Sequence, residues 1–476
     1  MGASEKSLSG ETIKATAAKV AMNIIGFTGT IIFARVIGAK GLGDFYTVMA
    51  VAGVANQVTS GFSDAVQKRA SELDADLGEI ITLSLVVPVL WTTILGTGAL
   101  VFQDIIISYI GFSRAPSAFI AVLLAFAIYN SVESLLTASG RIGRAAWIDA
   151  FRSAVTITIQ VSLIFVGLGA AGIAYGFAIA TLITSILLYK NVSSSPILPT
   201  WSTIHSLWDY AKYSSLTSYF GKLYSEFDIL VIRAMLADPV AGYYGIASRV
   251  SKPGGQLSMV VSDGLYSQVS NLHSKGEAFQ QQITNSMSFT SLFIIPMLVG
   301  GTLLRDPLIV TVFGSENQPT AVLLPGLLLF QLVRTQSGPL ETVVMAMDYP
   351  DVQARITFAA LLVNIILGIA LTLVYQTALG VVAATLIAEI CRYVLARRFV
   401  TQRVSGLPIL PRPVLKQISA AGVMGMVTVF LSELVTLDSW VSLSVVISLC
   451  AVIYFGILIV VSGQFRTTVR SGFRSL

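Results

Sequence analysis

Histidine and cysteine are nearly absent, with two of each in 476 residues. His205 and His273 cannot build a structural zinc site without a cysteine cluster. Cys391 and Cys450 fall in apolar runs and read as small core residues with no disulfide framework, which leaves the redox compartment open. Charge is scarce as well. Only 12% of residues are charged, against about one quarter in soluble domains, while 54% are hydrophobic and the mean hydropathy is +0.79. These values exclude an ordinary soluble domain and give a polytopic membrane protein. No phosphate-cradling P-loop, nucleophile elbow or metal-ligand spacing occurs, which removes the common soluble-enzyme chemistries and any need for a cofactor. No connection is long enough for a folded extramembrane domain, so function is expected within the helices. A cleavable signal is also lacking: Met1 to Glu11 is polar, and the apolar stretch that follows is too long for a signal h-region. Insertion is expected to use the first helix itself.

What the chain does contain is a repeat of itself. Moved forward by 199 positions, Gly43, Val51, Gln57, Ser63, Asp64, Ser71 and Leu73 fall on Gly242, Val250, Gln256, Ser262, Asp263, Ser270 and Leu272. Random pairing of so short a stretch gives about two matches. Farther on the offset is 208, and Glu133, Ala138, Ile148, Leu163 and Gly172 fall on Glu341, Ala346, Ile356, Leu371 and Gly380. Two halves of similar build lie in tandem, an arrangement by which many transporters form two lobes around a substrate path.

At about 20 apolar residues per span, the sequence predicts an all-α membrane protein of about 14 helices. They fall near 13–37, 43–67, 79–102, 116–138, 145–167, 171–190, 207–236, 241–271, 281–304, 319–346, 352–375, 379–398, 415–434 and 440–462. Six helices per repeat is an even number, so both halves enter the membrane alike and form parallel repeats, with a terminal helix pair added. The domains expected are an N-lobe over 1–190, a cytoplasmic linker over 191–206, a C-lobe over 207–398 and the terminal pair with a basic tail over 399–476. With the N-terminus inside, the inner loops carry Lys68, Arg69, Arg141, Arg144, Lys190, Arg397, Arg398 and most other cations, whereas the outside keeps Lys40, Arg114 and Arg305. Both termini are therefore expected to be cytoplasmic, and the net charge of +5 is a topology signal with no nucleic-acid partner behind it. The sequon Asn191-Val192-Ser193 would face the cytoplasm, unglycosylated.

Charges at depth cost about 2.5–3.5 kcal/mol each even on the lenient insertion scale, so they mark a wet interior. Fifteen stand at or near depth: Lys19, Asp64, Glu133, Asp149, Arg152, Lys222, Glu226, Asp228, Arg233, Arg249, Lys252, Asp263, Arg334, Glu341 and Glu389. Arg233, Asp149 and Glu389 can instead snorkel to an interface. Asp149 with Arg152, and Lys222 with Glu226, have ion-pair spacing along a helix. Asp64 and Asp263, matched by the repeat, read as a gate, a helix-end contact or a coupling site, and Glu133, Glu341 and Asp228 are further gating or coupling candidates. Arg249 and Lys252 share a face just before Pro253-Gly254-Gly255, where a bend is expected. With Arg334, and with Lys19 from the first helix, they form the candidate site for an anionic group; pairing with acids or snorkelling is the plainer alternative. Gly96-Thr97-Gly98 and Gly300-Gly301 read as helix-packing devices.

Several stretches carry a resemblance. Ile32-Phe33-Ala34-Arg35-Val36-Ile37-Gly38-Ala39-Lys40-Gly41-Leu42-Gly43-Asp44-Phe45-Tyr46 resembles the first helix junction of polysaccharide-biosynthesis flippases of the O-antigen (Wzx) type. Leu236-Ala237-Asp238-Pro239-Val240-Ala241-Gly242-Tyr243-Tyr244, with Asp228 ahead of it, is similar to their second-lobe counterpart. The resemblance covers essentially the whole chain. It implies a V-shaped, non-enzymatic exporter of the multidrug/oligosaccharidyl-lipid/polysaccharide superfamily that works by alternating access in the cell membrane. The implied substrate is a polyprenyl-phosphate-linked glycan, or in archaeal relatives a dolichyl-phosphate-linked sugar destined for surface glycoproteins. The partners implied are that lipid-linked sugar, the surrounding membrane lipids, and glycosyltransferases or an oligosaccharyltransferase of the same pathway, around a monomer. Lysine or arginine in a hydrated cavity can replace the water around such a phosphate. A cation-coupled drug exporter of the same superfamily is the nearest rival and would call for an acid-dominated cavity. A membrane glycosyltransferase or polymerase would need a sizeable external loop that this chain lacks.

Overall fold

The structure, a computed structural model, describes residues 3–72, 76–192, 194–463 and 465–466, with side chains from residue 22 onward except at 142, 213, 216, 217, 257 and 260. Among them every element is helical. The helices are α1 (Ala3–Ala55), α2 (Gln57–Ala70), α3 (Leu77–Val101), α4 (Gln103–Ile110), α5 (Ala115–Ala138), α6 (Ile142–Phe165), α7 (Gly169–Tyr189), α8 (Trp201–Met235) and α9 (Asp238–Ser251). They continue as α10 (Gln256–Ser274), α11 (Gln280–Thr290), α12 (Ile294–Leu303), α13 (Arg305–Phe313), α14 (Thr320–Ala346), α15 (Pro350–Tyr375), α16 (Ala378–Thr401), α17 (Arg412–Leu434) and α18 (Trp440–Val461). Ten segments among the described residues are long and apolar enough to cross a bilayer, and the chain is a multi-pass membrane protein. The chain divides into compact units Met1–Gly242 and Tyr243–Leu476.

In the first unit, the connection expected at Gly38–Leu42 shrinks to one residue. Gly38 has φ +66°, open to glycine without strain, and helix resumes at Ala39. A second break falls at Asn56, inside the single span expected over 43–67. In hydrocarbon a freed carbonyl needs a donor, and the Trp91 indole supplies one to Ala55 O at 2.9 Å. Helix α8 packs within this unit, with Gly61 of α2 lying directly against Ser215. Its start is clamped to α3: the backbone N–H and hydroxyl of Thr200 and the hydroxyl of Thr203 all donate to the Glu79 carboxylate, and Ile197 N donates to Gly78 O at 3.0 Å. The Ser/Pro stretch before α8 is thereby stitched to the bundle.

In the second unit, the span expected over 281–304 is interrupted between α11 and α12, where Pro296 has no N–H to give the Leu292 carbonyl four residues before it. Partners distant in sequence hold it open. The Tyr454 hydroxyl donates to Leu292 O at 3.0 Å, the Ser291 hydroxyl donates to Gln417 Oε1 at 2.8 Å, and Gln417 Nε2 donates to Ser288 O at 2.7 Å. The terminal pair α17–α18 thus satisfies the polar groups that the break exposes.

Small residues set the packing, as expected where lipid removes the hydrophobic drive between helices. Gly172 of α7 backs onto the Leu163 carbonyl of α6, and Gly380 of α16 backs onto the Leu371 carbonyl of α15. These four residues are two of the pairs matched by the 208-residue offset, so each unit uses the same close contact at the same register.

Candidate functional site

Two junctions that match under the 199-residue offset meet inside the first unit. A Cβ on Gly43 would stand 2.8 Å from Gly242 N and 3.3 Å from Asp238 O, and one on Gly242 would overlap Ala39 O. Only glycine permits this approach. Beside it Arg233, with its side chain 3% exposed, reaches Asp44 Oδ1 and Asp238 Oδ1 at 3.2 Å each, and its Nε donates to Tyr109 O at 2.6 Å. Gly111, at φ +100°, makes room for the guanidinium, since a Cβ there would overlap it. Lys40 closes the group at 2.9 Å from Asp238 Oδ2, and its hydrogen bond holds the Asp238 carboxyl below the usual carboxylate range. The arrangement ties the α1 break to the α8–α9 turn. Arg233 is buried and paired, where the sequence left snorkelling open; Asp44 and Tyr109 were not singled out, because their partner lies far along the chain.

A second network fills the second unit. Glu341 Oε1 stands 2.6 Å from Arg392 Nε as an ion pair, and Oε2 accepts from Arg392 NH2 at 2.9 Å and Gln353 Nε2 at 2.8 Å. Glu389 is fully buried; it accepts from the Ser337 hydroxyl and lies 3.5 Å from Arg334 and 4.0 Å from Arg392. Arg334 also stands 3.7 Å from Glu341 and is the exposed arm of the cluster, 41% accessible. The candidate anion-binding Arg334 is therefore carboxylate-paired, and Glu389 does not snorkel. Arg392 is the residue that sequence reasoning undervalued.

The first unit has a counterpart. Arg152 meets Asp149 at 2.6 Å, the Tyr129 hydroxyl donates to Asp149 at 2.9 Å, the guanidinium lies over the Tyr129 ring, and Glu133 stands half-buried nearby. Tyr129 and Ser337, the hydroxyl donors of the two networks, are equivalent under the 208-residue offset, as are Glu133 and Glu341. The Lys222–Glu226 pair forms at 2.8 Å, and Lys222 passes over Gly53 of α1.

The remaining candidates are scattered. Lys252 opens a 3-10 turn, Lys252–Gly255, between α9 and α10, and Arg249 sits in the last turn of α9; both side chains are exposed. That turn lies against α14, since a Cβ on Gly255 would stand 2.8 Å from Gln331 Oε1, one turn from Arg334. Asp64 accepts from the Ser214 hydroxyl at 2.5 Å, Asp263 is exposed, and Asp228 is buried in α8. Lys19 lies outside the residues whose side chains are described. Among the described residues no group of three or more His, Cys, Asp or Glu could hold a metal.

The polysaccharide biosynthesis protein family matches residues 32–322. The chain is similar to the probable low-salt glycan biosynthesis flippase Agl15 of Haloferax volcanii, 29% identical over 395 residues, which is 80% of this chain and 82% of that protein. It is also similar to the probable flippase AglR of the same organism, 24% identical over 341 residues, 70% of this chain and 71% of that one. Among solved structures, the lipid II flippase MurJ in an inward closed conformation aligns with a TM-score of 0.79 at 18% identity, covering 96% of this chain and all of that one. An inward-facing multidrug transporter of the MATE family aligns with a TM-score of 0.64 at 14% identity, over 81% of this chain and 96% of that one.

Proposed function

The chain belongs to the polysaccharide biosynthesis protein family, and from that premise we propose that it is a flippase moving a polyprenyl- or dolichyl-(pyro)phosphate-linked sugar from the cytoplasmic to the outer leaflet. The observation that carries this reading is the similarity to a named glycan biosynthesis flippase over four-fifths of both chains. It works by alternating access, as a transporter and not a catalyst. Fourteen helices in two parallel six-helix repeats plus a terminal pair, with lobes over 1–190 and 207–398, an inner linker over 191–206 and both termini cytoplasmic, fit the lysine and arginine bias. That orientation puts the Arg233 junction on the outer face, where it shuts the exit and has to open for release. An exporter of cationic drugs would favour unneutralised carboxylates; Glu341 and Glu389 are matched by Arg334 and Arg392.

Arg249 and Lys252, exposed beside a break in the helix, hold the phosphate, with Arg334 and Lys19 as contributing cations. Asp64, Asp263, Glu133, Glu341 and Asp228 take gating or coupling roles. Charge-assisted contacts contribute about 1.5–3 kcal/mol each, so losing one weakens headgroup binding roughly ten- to a hundredfold. Arg249→Ala with Lys252→Ala should abolish complementation of a flippase-null strain at normal membrane-protein levels, and Arg249→Lys should keep part of it. Full complementation by the double variant would remove both residues from the site.

A further inference from the structure

At one corner of the second unit the apolar span Arg412–Leu434 starts and the span Trp440–Val461 stops. Three cations gather there. Lys416 Nζ donates to Val461 O at 3.0 Å, while Arg466 donates through Nε to Ile459 O at 3.0 Å and through NH2 to Val460 O at 2.8 Å. Arg412 stands one turn before Lys416 on α17 and is exposed. Pro413 and Gln417 share a small cleft with Ser462 and Phe465, so the start of α17 lies against the segment that follows α18.

Among the described residues no acid answers these charges. The helices packed against the corner are α12, α18 and, through Gln417, α11, and none of the three contains a charged residue. Arg305 and Asp306 of α13, Glu433 of α17 and Asp438 belong to the opposite end of the unit. The neighbouring connections at the same end bring Glu277, Asp348 and Asp351, but they also bring Lys275, Arg355, Arg397, Arg398 and Arg403, so the excess stays positive. The positive end of α17 and the negative end of α18 offset each other. A carbonyl that accepts a hydrogen bond fixes a cation's place without cancelling its charge. The lysine and arginine bias that orients a membrane protein asks only for cations near span ends. Lys416 and Arg466 are pinned as well.

The surface beside them is apolar. Leu415 and Ile418 of α17 and Val460 and Val461 of α18 are all exposed, within about one turn of the three cations or of the carbonyls that hold them. Hydrocarbon against these side chains, with a negative group at the level that long cationic side chains reach, is the chemistry of an anionic lipid.

We propose that this corner binds an anionic phospholipid of the bilayer, its phosphodiester held by Arg412, Lys416 and Arg466 and its chains lying on α17 and α18. The site is separate from the headgroup site at Arg249 and Lys252, and it does not depend on the flippase reading.

The full-length protein is reconstituted in phosphatidylcholine bilayers with a trace of photoreactive phosphatidylglycerol, and labelled peptides are mapped. A photoreactive phosphatidylcholine with the same chains is the reference. Label from the anionic probe is expected on peptides over residues 412–418 and 460–466, at least about tenfold above the reference, since each cation near an anionic headgroup is worth about fivefold. The ratio should fall to near one in Arg412→Gln with Lys416→Gln and Arg466→Gln. Arg412→Gln alone leaves both carbonyl-bonded cations in place and should lower the ratio about fivefold, which keeps the test if the triple variant fails to insert; Arg412→Lys should retain it. Equal label from the two probes would overturn the site. Complete loss of label on adding inorganic phosphate would overturn it too, because a free anion would then be the ligand. Complete loss on adding an equal amount of isoprenyl phosphate would do the same, because the corner would then belong to the carrier lipid.

Discussion

Arg233→Ala should cost about 3–5 kcal/mol of stability and open the junction between the α1 break and the α8–α9 turn. The magnitude follows from what remains behind: Asp44, its side chain 6% exposed, would sit buried with its strongest counter-charge gone. The Tyr109 carbonyl would lose its donor at the same time. Arg233→Lys keeps the charge but cannot fork across Asp44, Asp238 and that carbonyl, so an intermediate loss is expected. Instability and opening can be told apart. Replacing both partners of a buried pair by apolar residues of similar volume is often neutral, so Arg233→Met with Asp44→Leu should restore much of the stability while leaving the junction unlocked. Thermal unfolding in detergent reads the first effect. The second is read by thiol labelling of Ala39→Cys, at a position 6% exposed in the intact junction. Labelling should be faster in both the single and the double variant, and an unchanged labelling rate in both would contradict the role assigned to the junction.

The second large effect is expected at Arg392. Its side chain is 7% exposed and it serves Glu341 through two contacts below 3 Å while lying within 4.0 Å of Glu389. Arg392→Ala leaves two buried carboxylates with Arg334 alone, again about 3–5 kcal/mol. Arg334→Ala should cost far less, about 1 kcal/mol or below, because that side chain is 41% exposed and its contacts are 3.5–3.7 Å long. Glu341→Gln in the Arg392→Met background should recover part of the loss, since the uncompensated charge is then removed with its partner. Unfolding temperatures of the four variants and the unaltered protein, purified in the same detergent, give the comparison. Equal, small losses for Arg392→Ala and Arg334→Ala would mean that the network does not hold the second unit together.

Local features were legible in the sequence and long-range ones were not. Asp149–Arg152 and Lys222–Glu226 form because helical spacing alone brings them together, and Pro253-Gly254-Gly255 bends the chain because proline lacks a donor there. The interruption after Thr290 has a local cause in Pro296, which offers Leu292 O no N–H, but the groups that meet the exposed polar atoms are not local. It persists because Tyr454 and Gln417, more than a hundred residues away, meet its polar groups. Arg334 read as an anion-binding cation because its partners stand on another turn and another helix. Arg233 read as a candidate snorkeller because nothing near it in sequence shows that Asp44 and the Tyr109 carbonyl will surround it. The internal repeat matched Gly43 to Gly242 and Gly172 to Gly380 as equivalent positions, but it said nothing of what each of them touches.

The central claim is translocation of a lipid-linked sugar. The most direct measurement reconstitutes the purified protein into vesicles carrying a fluorescent lipid-linked sugar and follows its movement between leaflets with a membrane-impermeant quencher. The account predicts movement well above empty vesicles, slowed at least about tenfold by Arg249→Ala with Lys252→Ala. Movement no faster than in empty vesicles, from protein that instead drives efflux of a cationic drug, would contradict it.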